Sequence, residues 1–171
     1  WLFFIPSSFI DFSKSLFSSL FFVSNHHFYL SGELYDTENS LLKPLLHTWS
    51  LSIEEQYYIV FPLVFTVVFK FFKNHLLKVF VLLFLISFLS MIYIFQKNES
   101  LAFFSFFTRF WELLLGSITA ILCTQKKKIT NFHHNIYSIL GLIMIIFSIF
   151  FYNDSTKSPY IPTLLPVLGT S

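Results

Sequence analysis

The sequence predicts an all-α protein: a polytopic bundle of transmembrane helices, with about five complete spans and a partial one at each end. Three observations predict it. Hydrophobic residues make up 55% of the 171 residues and charged residues only 12%, whereas a soluble domain carries about 25% charged residues. The mean hydropathy is +0.69. The apolar residues also come in long blocks instead of at amphipathic spacing, so lipid is the solvent that fits.

A hydrocarbon core about 30 Å thick needs roughly 20 apolar residues in a helix. The opening Trp1 to Ile10 reads as the tail of an earlier helix. The first span is expected from Ser15 to Leu30, short and polar at its end, where Ser24-Asn25-His26-His27 falls. The second runs from Ile53 to Phe72, the third from Leu76 to Phe95, the fourth from Phe104 to Cys123 and the fifth from Ile136 to Tyr152, with a sixth beginning near Pro162. Membrane strands would alternate apolar with polar residues, and these runs do not. The chain begins without Met and ends soon after a new apolar stretch opens, and is read as an internal fragment of a longer protein. Residues 1–171 then form part of one transmembrane domain.

Lys14, the group Lys70, Lys73 and Lys78, and the run Lys126-Lys127-Lys128 fall in alternate connections. Basic residues are retained on the cytoplasmic side, so the remaining connections, Ser31 to Ser52 among them, are expected outside. The lone Cys123 permits neither a disulfide framework nor a cysteine metal site. Adjacent histidines on a helix point about 100° apart, so neither His26-His27 nor His133-His134 makes a chelating pair, and no metal is expected.

Ionisable residues gather at two helix ends, where placing them near hydrocarbon is costly and marks candidates for function. The first group is His47-Thr48-Trp49-Ser50-Leu51-Ser52-Ile53-Glu54-Glu55-Gln56-Tyr57-Tyr58. Ser52 and Glu55 have capping-box spacing, which makes Ser52 the expected helix cap and Glu55 structural. Glu54 is not needed by that box and shares a face with Tyr57, Tyr58 and Phe61. A carboxylate there could orient a histidine, take a hydroxyl proton or pair with a cation, and a structural reading stands beside these. His47 and Trp49 read equally as interfacial belt residues. Pro62 is expected to kink the helix. The second group is Thr108-Arg109-Phe110-Trp111-Glu112. Arg109 and Glu112, three apart, can pair on one face, and Gly116 with Ala120 forms a small-residue face for close helix packing. Both groups fall at the outer side, so they can converge.

Pro44-Leu45-Leu46-His47-Thr48-Trp49-Ser50-Leu51-Ser52-Ile53-Glu54-Glu55-Gln56-Tyr57-Tyr58, continuing to Phe61-Pro62-Leu63, closely resembles a signature of the acyltransferase-3 family. These are bacterial multi-pass O-acyltransferases of cell-surface polysaccharides. Thr108 to Gly116 resembles a second family motif, and Leu20 to Asn25 and Pro159 to Thr170 are similar as well, so the likeness touches nearly the whole chain. The resemblance implies transfer of an acyl group, most often acetyl, from cytoplasmic acyl-CoA to a glycan hydroxyl, such as one of lipopolysaccharide O-antigen. Acyl-CoA is then a co-substrate, no cofactor is bound, the partners are the lipid bilayer and the glycan, and nucleic acid is not among them. The implied location is the bacterial plasma (inner) membrane.

The family's acyl-CoA motif and its essential histidine precede Trp1, so this piece is expected to be inactive alone. The downstream stretch is most similar to the lipopolysaccharide O-acetylase subclass, which often continues into an SGNH-type domain. On this reading Glu54 orients the missing histidine or helps deprotonate the acceptor. Arg109 and Glu112 shape the pocket, while His47 and Trp49 contact the sugar. His26 and His27 stand where aromatic residues are expected and take no role. The alternatives are a transporter using the intramembrane Glu and Arg, or a structural envelope subunit. Inverted repeats would favour the first and are not seen, and the second leaves two ionisable groups on one side unexplained.

Overall fold

In the computed structural model, residues 6–32, 43–125, 131–153 and 159–171 are described. Among them the chain is helical throughout: α1 Pro6–Leu20, α2 Ser24–Leu30, α3 Thr48–Phe72, α4 Leu76–Lys97, α5 Glu99–Phe104, α6 Phe106–Gln125, α7 Asn131–Phe151 and α8 Leu164–Thr170, with short 3-10 turns at Lys73–His75 and Ile161–Thr163.

Two helical stretches are long and apolar enough to cross a membrane, Thr48–Lys97 with 50 residues and Phe106–Thr124 with 19. The first is folded at the Lys73–His75 turn into α3, of 25 residues, and α4, of 22, each about the length of one crossing. The expected five spans are not all found among the described residues. Ile136–Phe151 and Ile161–Thr170 are apolar but shorter. The expected first span, Ser15 to Leu30, is not one helix: it breaks at Phe21-Phe22-Val23, where Phe22 takes a positive φ of 57°. A bulky residue rarely adopts that conformation, and the break is held from outside by α3.

Helices α3, α4 and α6 form the core. Tyr57, Val68, Phe80, Leu114, Ile118 and Ile121 are buried together, with Phe61 and Phe65 packed beside them. The few polar groups in this core settle the helix directions, because a buried hydroxyl must find its partner inside the protein. The Tyr57 hydroxyl lies 2.6 Å from that of Ser117. Ser87 of α4 donates to the Phe107 carbonyl at 2.6 Å and accepts from the Trp111 amide at 2.9 Å. Phe80 lies near the α4 start and shares the core with Leu114 to Ile121. Helix α4 therefore runs antiparallel to α6, and α3 runs parallel to it, which brings the N-terminal ends of α3 and α6 to one end of the bundle. Helix α3 continues through Pro62, with the Thr66 hydroxyl donating to the Pro62 carbonyl at 2.7 Å. Lys70, Lys73 and Lys78 are exposed around the α3–α4 turn, while Lys97 closes α4 at the other end over Tyr93. Basic residues are thus not confined to one end, and Lys126 to Lys128 lie outside the described residues.

The close-packing glycines are not the expected ones. A Cβ on Gly116 would meet nothing within 4 Å, and Ala120 is exposed, so that face packs against nothing described. Helices α7 and α8 instead meet backbone to backbone: a Cβ on Gly141 would strike the Gly169 carbonyl oxygen, and one on Gly169 would come within 2.8 Å of the Gly141 carbonyl oxygen. Gly141→Ala should therefore force α7 and α8 apart and cost about 1–3 kcal/mol, lowering the melting temperature of the detergent-solubilised protein. Gly116→Ala should leave it unchanged or slightly raised, and equal melting of the two variants would contradict this packing.

Candidate functional site at the α3 and α6 ends

Helix α3 starts at Thr48, four residues before the expected cap. His47 stands at its N-cap with no side-chain capping bond, and the Thr48 hydroxyl donates to the Leu45 carbonyl at 2.7 Å. Ser52 is consequently inside the helix, and the Ser52–Glu55 capping box does not form. The hydroxyl of Ser52 has another task. It lies 2.7 Å from the Ser24 hydroxyl and accepts from the Ser24 amide at 3.3 Å.

Residues four apart share a helix face, and three faces of α3 have separate roles. Thr48, Ser52 and Gln56 look onto the α1–α2 break. Thr48 bonds Ser24 at 3.2 Å and lies 2.8 Å from the Ser19 hydroxyl. Gln56 donates to the Phe22 carbonyl at 2.7 Å and to the Asn25 side-chain oxygen at 3.0 Å, and Asn25 in turn donates to the Phe104 carbonyl at 3.0 Å. Ser24 and Asn25 are fully buried. This network ties the broken first helix to α3 and to the α5–α6 elbow at Ser105. It also accounts for the positive φ of Phe22, whose carbonyl Gln56 holds.

The second face, Trp49, Ile53 and Tyr57, is buried. Trp49 packs on Phe103 and Phe104 of α5, with ring centroids 4.4 and 5.5 Å apart. Asn98 begins α5 as its side-chain cap, accepting from the Leu101 amide at 2.9 Å, and fixes where those rings stand.

The third face carries Ser50 and Glu54, opposite α6. Arg109 and Glu112 lie one turn apart on α6 and meet side-on: the Arg109 Nε donates to one carboxylate oxygen at 3.3 Å and Nη2 to the other at 3.1 Å. The guanidinium also sits over the Trp49 ring, 5.0 Å from its centroid, and 5.8 Å from that of Phe103. Trp111, between Arg109 and Glu112 in sequence, points the other way and packs edge-on against Phe84 and Phe88 of α4.

Trp49, Ser50, Ile53, Glu54, Arg109, Glu112 and Leu113 line one cavity of about 90 Å³. The structure therefore brings together four of the five candidate residues, Trp49, Glu54, Arg109 and Glu112. His47, the fifth, is exposed at the head of α3 and is not among the lining residues. Glu55 is half-buried and also outside the lining. Sequence reasoning missed the network of Ser24, Asn25, Thr48, Ser52 and Gln56, and missed Phe103. The signal for the network was present: three polar residues four apart in an otherwise apolar helix, facing a polar Ser-Asn pair. A second cavity, of about 670 Å³, lies at the far end of α6 against α7 and α8 and is lined mostly by apolar residues. Among the described residues no three His, Cys, Asp or Glu side chains gather as a metal site would require.

Removing the Asn25 side chain strands the buried Phe104 carbonyl and takes from Gln56 one of its two acceptors. Each unsatisfied buried group costs about 1–3 kcal/mol. Asn25→Ala should therefore lower the melting temperature clearly, while substituting its exposed neighbour, His26→Ala, should not. Equal melting of these two variants would show that the network holds nothing.

No family model and no solved structure matches the chain. A Haemophilus influenzae protein that carries no functional name is 28% identical over 180 residues, which covers 98% of the chain and 72% of that relative. The O-acetyltransferase OatA of Staphylococcus aureus is 34% identical over 126 residues, 71% of the chain. The matched region is only 20% of the length of OatA.

Proposed function

We propose that the chain is part of a membrane-bound O-acyltransferase of the acyltransferase-3 type, which moves an acetyl group from acetyl-CoA to a hydroxyl of a cell-surface polysaccharide. Similarity to a protein named O-acetyltransferase supports the reaction class. The single structural observation that carries the reading is the shared cavity: two motifs more than fifty residues apart place Glu54 on one wall and the Arg109–Glu112 pair on another. The resemblance of both motifs to that family supplies the donor, the acceptor class and the plasma-membrane setting.

In this reaction the acceptor oxygen bonds to the acetyl carbonyl carbon and the carbon–sulfur bond of the thioester breaks. The hydroxyl proton passes through a base to the departing thiolate, giving an ester and a free thiol. Glu54 serves as that base or orients a histidine supplied by an earlier helix. Arg109 is the donor at the cavity wall, suited to the negative charge that the acceptor oxygen gains as its proton leaves. Trp49 completes the cavity. His47, at the exposed head of α3, is left with contacts to the glycan beyond the cavity mouth.

Glu54→Gln keeps the size of the side chain and removes the base. In cells making the intact protein, it should reduce ester-linked acetyl on the surface polysaccharide by about 10²- to 10⁴-fold. The comparison requires equal amounts of protein in the membrane fraction. Unchanged acetylation at equal amounts would take Glu54 out of the reaction.

A further inference from the structure

The Trp49 ring leaves no face for a sugar to stack on, because its surroundings are already taken: it is 7% exposed, with Phe103, Phe104 and the Arg109 guanidinium against it. What that arrangement does is fix Arg109. The aromatic rings hold the guanidinium by cation–π attraction, which favours one placement of the planar group. Glu112 takes the Nε and Nη2 hydrogens on one edge. A guanidinium has five N–H donors, so Nη1 and the second Nη2 hydrogen remain, with no partner among the described residues. Across the cavity Glu54 forms no salt bridge with Arg109 or with any other described residue.

The chemistry of those two walls selects a ligand. Arg109 only donates, and the Glu54 carboxylate only accepts. A group set between them must accept from one and donate to the other, and a hydroxyl does both. An anion is disfavoured, because Glu54 and Glu112 outnumber Arg109 on the lining, and a cation would face Arg109. Size restricts the ligand as well: about 90 Å³ is well below the roughly 150 Å³ of a cavity that admits benzene. A hydroxyl-bearing edge of a sugar enters, and the rest of the ring stays at the mouth.

We propose that Arg109 and Glu54 together take the acceptor hydroxyl in this cavity, and that Trp49 is a positioning residue that acts through Arg109 and does not itself touch the substrate. The assignment of the hydroxyl to an acyl acceptor rests on the transferase reading, whereas the clamp on Arg109 does not.

The test is a double-mutant cycle of Trp49→Leu and Arg109→Lys in the intact protein, read in two ways. Melting of the detergent-solubilised protein reads the clamp whether or not the protein is a transferase. The double variant should lose less than the sum of the two single losses, because the two side chains share one interaction while each also has contacts of its own. Surface-polysaccharide acetylation reads the role in the reaction. Trp49→Leu should lower it by about 2- to 30-fold, the range a cation–π contact spans. Trp49→Phe, which keeps a ring face, should restore most of it, and Trp49→Leu should cost little more once Arg109 is already lysine. Trp49→Leu losses of the same size in both backgrounds, by both readings, would overturn the clamp. Protection against melting by inorganic phosphate or acetate, lost in Arg109→Lys, would overturn the hydroxyl assignment in favour of an anion site. A coupled melting pattern across the variants, in a protein whose wild type adds no acetyl to polysaccharide, would sink the transferase reading alone.

Discussion

Ser24, Asn25 and Ser52 are buried, and the site's architecture follows from where they find partners. A buried hydroxyl or amide left unpaired costs free energy comparable to a whole hydrogen bond or more. Each of these groups therefore pins two elements at once. Ser52 and Gln56 hold the break between α1 and α2, while Asn25 reaches past α3 to the Phe104 carbonyl. The elbow at Ser105 and the rings of Phe103 and Phe104 are fixed by the same contacts. Against those rings stands Trp49, and against Trp49 stands Arg109. The cation at the cavity wall is thus the last member of a chain of contacts that begins in the first described helices.

That chain gives each face of the α3 N-terminal half a separate task. One face is polar and structural, the next aromatic and buried, and the third carries Glu54 toward α6. Glu54 is exposed, whereas Trp49, Ser52, Ile53 and Gln56 are committed to packing or to hydrogen bonds. Arg109 is half-committed: one edge is keyed by Glu112 and the other is left over. A site built this way has its rigid donor and its free acceptor on different helices, so the alignment of α3 with α6 sets the distance between them.

Much of this was legible in the sequence, though not all. Long apolar runs marked α3, α4 and α6 because one solvent acts on the whole length of such a helix. The spacing of Arg109 and Glu112 forecast their pairing, whereas the lysine alternation does not mark one end of the bundle, since Lys97 closes α4 opposite Lys70, Lys73 and Lys78. Ser52 and Glu55 have the spacing of a capping box, which points to a helix start four residues too late, because Ser52 is claimed by Ser24, a partner 28 residues away that local spacing does not reveal. The continuity that the sequence suggests for the first span fails for the same kind of reason: its break at Phe22 is held by Gln56 of another helix. Small residues at 116 and 120 suggested close packing, but only tertiary structure could show that the backbones meet at Gly141 and Gly169.

The central claim is that the N-terminal halves of α3 and α6 lie side by side, so that Glu54 and Arg109 share one cavity. Short-span thiol cross-linking in native membranes tests it most directly, using Ser50→Cys with Leu113→Cys in a Cys123→Ser background. The account predicts rapid cross-linking of that pair and none between Val67→Cys, at the other end of α3, and Leu113→Cys. Cross-linking of the second pair but not the first would contradict the shared cavity.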